Sequence, residues 1–457
     1  MRFGLSGVLV QSKTVTVVGA GLAGSEAAWQ IARRGVPVRL YEMRPTQPTA
    51  VHQTDRMAEL VCSNSLKSLE LSSAHGLLKE EMKRLGSLIV DCAIRNRVPA
   101  GAALAVDRLG FSQSVTQAIE EHPDITVVRE EVSEIPDGIV ILAVGPLVSE
   151  ALAADIARFT GNDYLYFYDA IAPVIEADSI DLSIVFAASR YGKGEGSDYL
   201  NCPMNKDEYD AFIDGLLTGE KAPLHDVDKT PFFEGCLPIE EMARRGHDTP
   251  RFGPLKPVGL DDPRTGRWPH AVVQLRQDNL AAEHYSMVGF QTRLSWPAQK
   301  QVIRSIPGLQ SAKFVRLGQI HRNCYINAPE ILTPSLQTRE RPELFFAGQI
   351  SGVEGYSESA ASGILCGINA ARLATGGETL ELPPTSVLGS LFHYISHSEK
   401  KNYQPTNVSF GLLPAVPKSK GMRKKRDRCL ARSAKALESL DAWIAEHREG
   451  IALEAAG

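Results

Sequence analysis

No stretch of this 457-residue chain stays apolar long enough to cross a membrane, so no membrane association is expected. Cysteine is sparse. There are 7, an odd number, with no Cys-x-x-Cys and no His/Cys cluster at zinc spacing. That excludes a disulfide framework, points to reduced thiols in a cytoplasm, and predicts no bound metal. An excess of one charge is also missing. Lys and Arg number 49 against 54 Asp and Glu, a net charge of −5. Nothing global therefore calls for nucleic acid, although a local basic surface stays open. No internal repeat is visible. Met1–Lys13 has only a short apolar run and no small-residue cleavage site, so it reads as a ragged leader and not as a signal peptide.

What is present is a dinucleotide fingerprint. The β-branched run Val15-Thr16-Val17-Val18 leads into Gly19-Ala20-Gly21-Leu22-Ala23-Gly24, and an alanine-rich helix follows. Gly19 permits the tight turn, Gly21 lets the backbone approach a pyrophosphate, and Gly24 lets helix and strand pack closely. The helix start offers free N–H groups and a positive dipole end to phosphate. Val36–Glu42 reads as the second strand, with Glu42 placed for a ribose 2′-OH. Pro342–Ile350 is a short apolar strand ending in Ala347-Gly348, and Ser357–Arg372 is a helix with Ala and Gly on its packing face. Ile139–Pro146 is a third apolar strand with small residues. Two-domain flavoproteins close an FAD site with these three pieces, so FAD is the expected dinucleotide. Many of them carry Asp after Ala-Gly, where this chain has Gln349.

Alternating strands and helices over about 12–160 imply a doubly wound parallel sheet, the first part of a Rossmann-like FAD-binding domain. The pattern changes over 161–310, which reads as an inserted mixed α/β domain. Strands of a mixed sheet are expected at Tyr164–Val174 and Ala271–Arg276, and helices at Asn205–Leu217 and Trp296–Ile306. The FAD-binding domain resumes over 311–415, and 416–457 is a basic C-terminal helix and tail. Within that tail, Lys418–Arg428 is either a phosphate-contacting arm or a solvated helix start. Leu430, Ala434, Leu437, Leu440 and Ile444 follow at helical spacing.

Two cysteines sit among unusual neighbours. Cys62, in Leu60-Val61-Cys62-Ser63-Asn64-Ser65, follows the second strand, where loops of FAD folds reach the flavin; its thiol either ionises or exchanges protons. Cys236, in Phe233-Glu234-Gly235-Cys236-Leu237-Pro238-Ile239-Glu240, stands on a turn at a helix start, which favours thiolate. Cys92, Cys324, Cys366 and Cys429 read as structural. His321-Arg322-Asn323 reads equally as a pocket lining or a polar loop. Arg276 and Gln277 are candidates for a folate carboxylate or an RNA phosphate.

Together with Asp198–Met204 and Ala347–Tyr356, these segments resemble the folate- and FAD-dependent tRNA (uracil-5-)-methyltransferases. The resemblance runs from about Thr14 to Pro414. It implies formation of 5-methyluridine at the T-loop uridine of tRNA. The carbon comes from 5,10-methylenetetrahydrofolate and the hydride from FAD that NADH or NADPH has reduced. It makes Cys236 the nucleophile and Cys62 the base for the C5 proton, and it sets Gly348, Gln349 and Tyr356 beside the flavin. Ribosomal RNA as target stays open. The flavoprotein that modifies the wobble uridine of tRNA shares the glycine loop but normally continues into a long helical domain, which is not expected here. The partners implied are tRNA and folate, with no obligate protein partner.

Overall fold

The computed structural model describes residues 13–49, 51–161, 165–223, 232, 237–415 and 424–451. A five-stranded parallel sheet lies at the centre, in the order Leu344–Phe346, Val140–Leu142, Val15–Val18, Val38–Tyr41, Ile125–Val128. Val17 pairs with Leu40 on one side and Ile141 on the other. The strands are short, and the middle and Leu344-side ones are apolar and almost wholly buried, as strands covered on both faces must be. The Rossmann-like FAD-binding fold expected from the glycine fingerprint is what the sheet order delivers.

One helix pair closes the sheet over its fingerprint end. Leu22–Ala32 packs along Tyr356–Ala374. Only small residues allow that approach. A Cβ at Gly363 would lie 2.2 Å from the Ala23 carbonyl oxygen, and one at Gly367 would lie 2.7 Å from that of Ala27. The buried Glu26 carboxylate accepts from Ser87 Oγ and from the amides of Leu88 and Ile89, capping the helix Leu88–Arg95 from outside.

A second, six-stranded sheet runs Phe186–Ala187, Tyr199–Met204, Ala271–Gln277, His284–Met287, Val174–Glu176, Phe314–Arg316. Every neighbouring pair in it is antiparallel, where a mixed sheet was expected. Its own core includes Met204, Phe212, Val273, Met287 and Phe290. The helix Lys206–Thr218 packs there, started by Asn205, whose side chain accepts from the Glu208 amide while Glu208 accepts from the Asn205 amide. The expected strand ending at Val174 is split. Leu165–Ala170 pairs with Ile320–Tyr325 in a separate ribbon, and only Val174–Glu176 joins the six-stranded sheet. His321–Asn323 is thus strand and not loop.

The C-terminal helix spans Lys425–Glu446. Its buried face is Ser433, Ala436, Leu437, Leu440 and Trp443, with Leu430 and Ala434 exposed. The apolar stripe read from the sequence was offset, because Ala436, Leu440 and Trp443 (i, i+4, i+7) set the face. Among the described residues, no helix is long and apolar enough to cross a membrane.

Candidate active site

The fingerprint lines a cleft enclosing about 1110 Å³. Gly19 holds φ +97°, and a Cβ there would lie 2.5 Å from the Ala143 carbonyl oxygen. A Cβ at Gly24 would lie 1.7 Å from the Gly19 oxygen. Around Gly21 there is no atom within 4 Å of that position, so its backbone faces open space. Gly21 is also the N-cap of Leu22–Ala32 and brings no side-chain cap. The first amides of that helix are free for an anion. Gly348, at φ +80°, lines the same cleft beside Ala23, its amide donating to Ser362 Oγ at 2.7 Å. An open glycine, an uncapped helix start and a second glycine turn beside them fit a pyrophosphate.

Glu42 lines the same cleft, tied down by Arg44. Its Oε1 accepts from the Arg44 amide and Nε, and its Oε2 from Arg44 Nη2 and the Ala20 amide at 3.1 Å. Burial alone would raise its pKa; Arg44 outweighs burial and keeps it below the usual carboxylate range. Those four bonds fill the acceptor sites of a carboxylate. A ribose hydroxyl therefore meets Glu42 only if one of these bonds is shared. His52 stands beside this pair. Burial, and then Arg44, push its pKa down to about 4, so the ring is neutral.

Val61, Pro146, Leu147, Gln349, Tyr356 and Ser359 line both this cleft and a second cavity of about 1350 Å³, so the two share a wall. Cys62 lies in the second. Its loop is held from all sides. The Cys62 amide donates to Tyr356 Oη at 2.7 Å. The Cys62 carbonyl accepts from Arg108 Nη2 at 3.2 Å and Arg316 Nη2 at 3.1 Å, and the Val61 carbonyl from Arg316 Nη1 at 2.7 Å. Arg276 donates to Asn64 Oδ1 and Ser63 Oγ, both at 2.8 Å. Among the described residues, only Arg108 of these three arginines has a carboxylate partner, Asp278 at 2.8 Å. Burial pushes the Cys62 thiol up to about 12, and Asp169 adds to it, while Arg108 and Arg316 pull the other way. The thiol is thus protonated at neutral pH, and of the two expected behaviours, ionised or proton-exchanging, the resting site offers the second.

Two glutamates behind Cys62 are driven in opposite directions. Burial and Asp169 push Glu354 up to about 8, and its Oε2 accepts from Gln349 Nε2 at 2.6 Å. Glu358 would also be raised by burial, but Lys67 and His75 bring it down to about 2. Lys67 lines the cavity from a left-handed backbone, φ +63°, inside the bulged strand Ser65–Ser68. A strained non-glycine residue of this kind is a mark of functional sites.

The family model for glucose inhibited division protein A (GIDA) matches residues 14–378. The methylenetetrahydrofolate--tRNA-(uracil-5-)-methyltransferase TrmFO of Brevibacillus brevis is 57% identical over 433 residues, covering 95% of this chain and 98% of the relative. That of Symbiobacterium thermophilum is 58% identical over 436 residues, covering 95% and 97%. The chain belongs to the TrmFO family. The solved structure of Aquifex aeolicus GidA (form II crystal) superposes with a TM-score of 0.67 at 17% identity, covering 98% of this chain and 75% of that one, a likeness of fold.

Within this family framework, the fold gathers most of the residues singled out from the sequence. Gly19, Gly21, Leu22, Ala23, Glu42, Gly348, Gln349 and Tyr356 line the cleft, and Cys62, Arg276 and Asn323 line the cavity beyond. Ala20 and Gly24 stand behind the cleft wall: Ala20 donates to Glu42, and Gly24 packs on Gly19. Gln277 instead turns its amide to the Asn279 carbonyl. Cys236 lies outside the described residues; the chain is described again from Leu237, with Pro238 as N-cap of the helix Ile239–Arg245. Cys92, Cys202 and Cys366 are buried, and burial raises the thiol pKa of each. The roles of Arg108, Arg316 and Asp169 carried no signal in the sequence, since each reaches the Cys62 loop across a long stretch of chain.

Proposed function

We propose that this chain forms 5-methyluridine at the T-loop uridine of tRNA, with 5,10-methylenetetrahydrofolate as the one-carbon donor. The observation that carries the reading is a dinucleotide cleft that shares a wall with a cavity holding a framed thiol. Relatives at 57–58% identity, whose name states this donor and uracil C5 of tRNA, support it. FAD bound along the cleft supplies the hydride that turns an exocyclic methylene into a methyl group, and NADH or NADPH renews it.

The protein's own residues do the rest. Uracil C5 is a poor nucleophile. Addition of the Cys236 thiolate at C6 gives C5 enolate character, and C5 then attacks the one-carbon unit. Cys62 takes the C5 proton, and the resulting enolate breaks the bond to the folate nitrogen, releasing tetrahydrofolate and leaving the exocyclic methylene with Cys236 still bonded at C6; when that methylene takes up hydride, the C5–C6 double bond re-forms and the Cys236 thiolate leaves. Because the Cys62 thiol rests protonated, its own proton must leave first; Arg108 and Arg316 favour that step and Asp169 opposes it. Tyr356, anchored on the Cys62 amide, fixes the thiol relative to the cleft. The uridine must leave its stack to enter.

The test is direct. Purified protein, unmodified tRNA transcript, NAD(P)H and methylene-labelled folate are incubated, and the RNA is digested for mass spectrometry. Label in 5-methyluridine, lost in Cys236→Ala, is expected. No label, with FAD bound and RNA intact, overturns the reading.

A further inference from the structure

The segment from Arg244 to Lys256 lies beside the second cavity and carries an unusual surface. It holds Arg244, Arg245, Arg251 and Lys256 against a single acid, Asp248. In its middle stands Phe252, 82% exposed, the most exposed large apolar side chain among the described residues. The ring does not sit on a loose tip. Pro250 and Leu255 on either side are buried, the Gly253 and Leu255 amides both donate to the Pro250 carbonyl, and the Val272 amide donates to the Leu255 carbonyl. A pinned turn thus displays an aromatic face to solvent, which a folded chain gains nothing from on its own.

Its place is equally specific. Pro254, two residues on, packs against Gly289, where a Cβ would lie 2.5 Å from the Pro254 Cβ. Gly289 lines the cavity that holds Cys62. At most about 7 Å of chain separates Phe252 from Pro254, which packs on that lining residue. The acids around it are already matched: Glu241 with Arg244 and Arg293, Asp248 with Arg251, Asp210 with Lys206. Arg251 is also held by the His270 carbonyl. Arg244, 71% exposed, keeps solvent access beside its Glu241 partner, and the half-buried Lys256 follows Phe252 four residues on.

We propose that Phe252, flanked by Arg244 and Lys256, is an RNA-docking platform at the rim of the cavity: the ring stacks on a base next to the target uridine, and the cations hold the adjoining phosphates. The chemistry is that of single-stranded RNA recognition, where aromatic faces take unstacked bases and cations follow the backbone. A base flipped from a loop leaves its neighbours without a stacking partner, and Phe252 replaces it. The inference rests on the tRNA reading given above.

Full-length, flavin-loaded Phe252→Ala and Phe252→Trp are compared with wild type, measuring tRNA binding by anisotropy at two salt concentrations alongside methylation kinetics. Phe252→Ala should weaken binding and raise KM for tRNA about tenfold, with kcat at saturating tRNA, flavin content and Tm unchanged. Phe252→Trp should restore affinity. Arg244→Gln should weaken binding several-fold and flatten the salt dependence. Unchanged affinity in Phe252→Ala, a Phe252→Trp variant as weak as Phe252→Ala, or a change of oligomeric mass in Phe252→Ala (a surface for a second copy) would each overturn the platform. Wild-type enzyme that holds FAD yet leaves tRNA unmodified removes the tRNA reading instead, and a binding assay that still responds to Phe252→Ala tells the two failures apart.

Discussion

At the dinucleotide end of the cleft, one continuous segment, Val15–Ala32, supplies the glycine turn and the helix start. The thiol end draws on Cys62, Arg108, Asp169, Arg276, Arg316 and Glu354, from distant parts of the chain. The first end is a backbone device, in which glycines clear space and a helix start presents amides. The second is an electrostatic device, in which three arginines and buried carboxyls set the charge around one sulfur. A local backbone demand leaves a local signature. An electrostatic frame assembled by tertiary structure does not.

The largest expected effect comes from breaking the electrostatic end. Arg108→Ala removes the partner of the buried Asp278 and two donors to the Cys62 loop. Loss of one member of a buried pair costs about 3–5 kcal/mol, to be read from denaturant midpoints. Arg108→Lys should recover only part of it, since one ammonium cannot reach all three acceptors.

At the backbone end the two glycines separate fold from ligand. Gly24→Ala forces its Cβ onto the Gly19 carbonyl and should cost roughly 1–3 kcal/mol in stability, with flavin lost as well. Gly21→Ala meets no atom, so cofactor-free stability should hold while flavin content falls. Equal stability losses in the two variants would contradict the division between them.

Acid titration compares the two glutamates behind the thiol. The Glu358 pKa lies near 2 in the fold against an ordinary 4.5. Its depressed pKa stabilises the fold fully above pH 4.5, and that part is lost as pH falls toward 2. The difference is about 3 kcal/mol, and Glu358→Gln should flatten this acid limb of Tm against pH. Glu354 behaves oppositely. With its pKa raised to about 8, its contribution is greatest below pH 4.5 and is lost as pH rises through 8, so Glu354→Gln should flatten the alkaline side.

These contrasts explain what the sequence disclosed. The fingerprint, the second strand before Glu42 and the small-residue helix at Tyr356–Ala374 were legible because turns and close helix contacts demand particular residues at fixed offsets. Cys62 was legible from its neighbours. Its protonation was not, because Asp169 and the arginines reach it through space. The antiparallel inserted sheet and the split at Ala170–Val174 were missed, since a short apolar run does not declare its partner strand. Lys67 was missed because a left-handed lysine inside a strand has no composition signal.

The central claim is that flavin lies along the fingerprint cleft and reaches the Cys62 thiol in the adjoining cavity. The most direct measurement is the rate of iodoacetamide alkylation of Cys62, followed by peptide mapping, with and without added FAD in flavin-stripped protein. The account predicts slow labelling at pH 7 that rises about tenfold per pH unit without a plateau below pH 10, as a thiol near 12 requires, and protection by FAD. Cys62 labelling that is indifferent to FAD would contradict it.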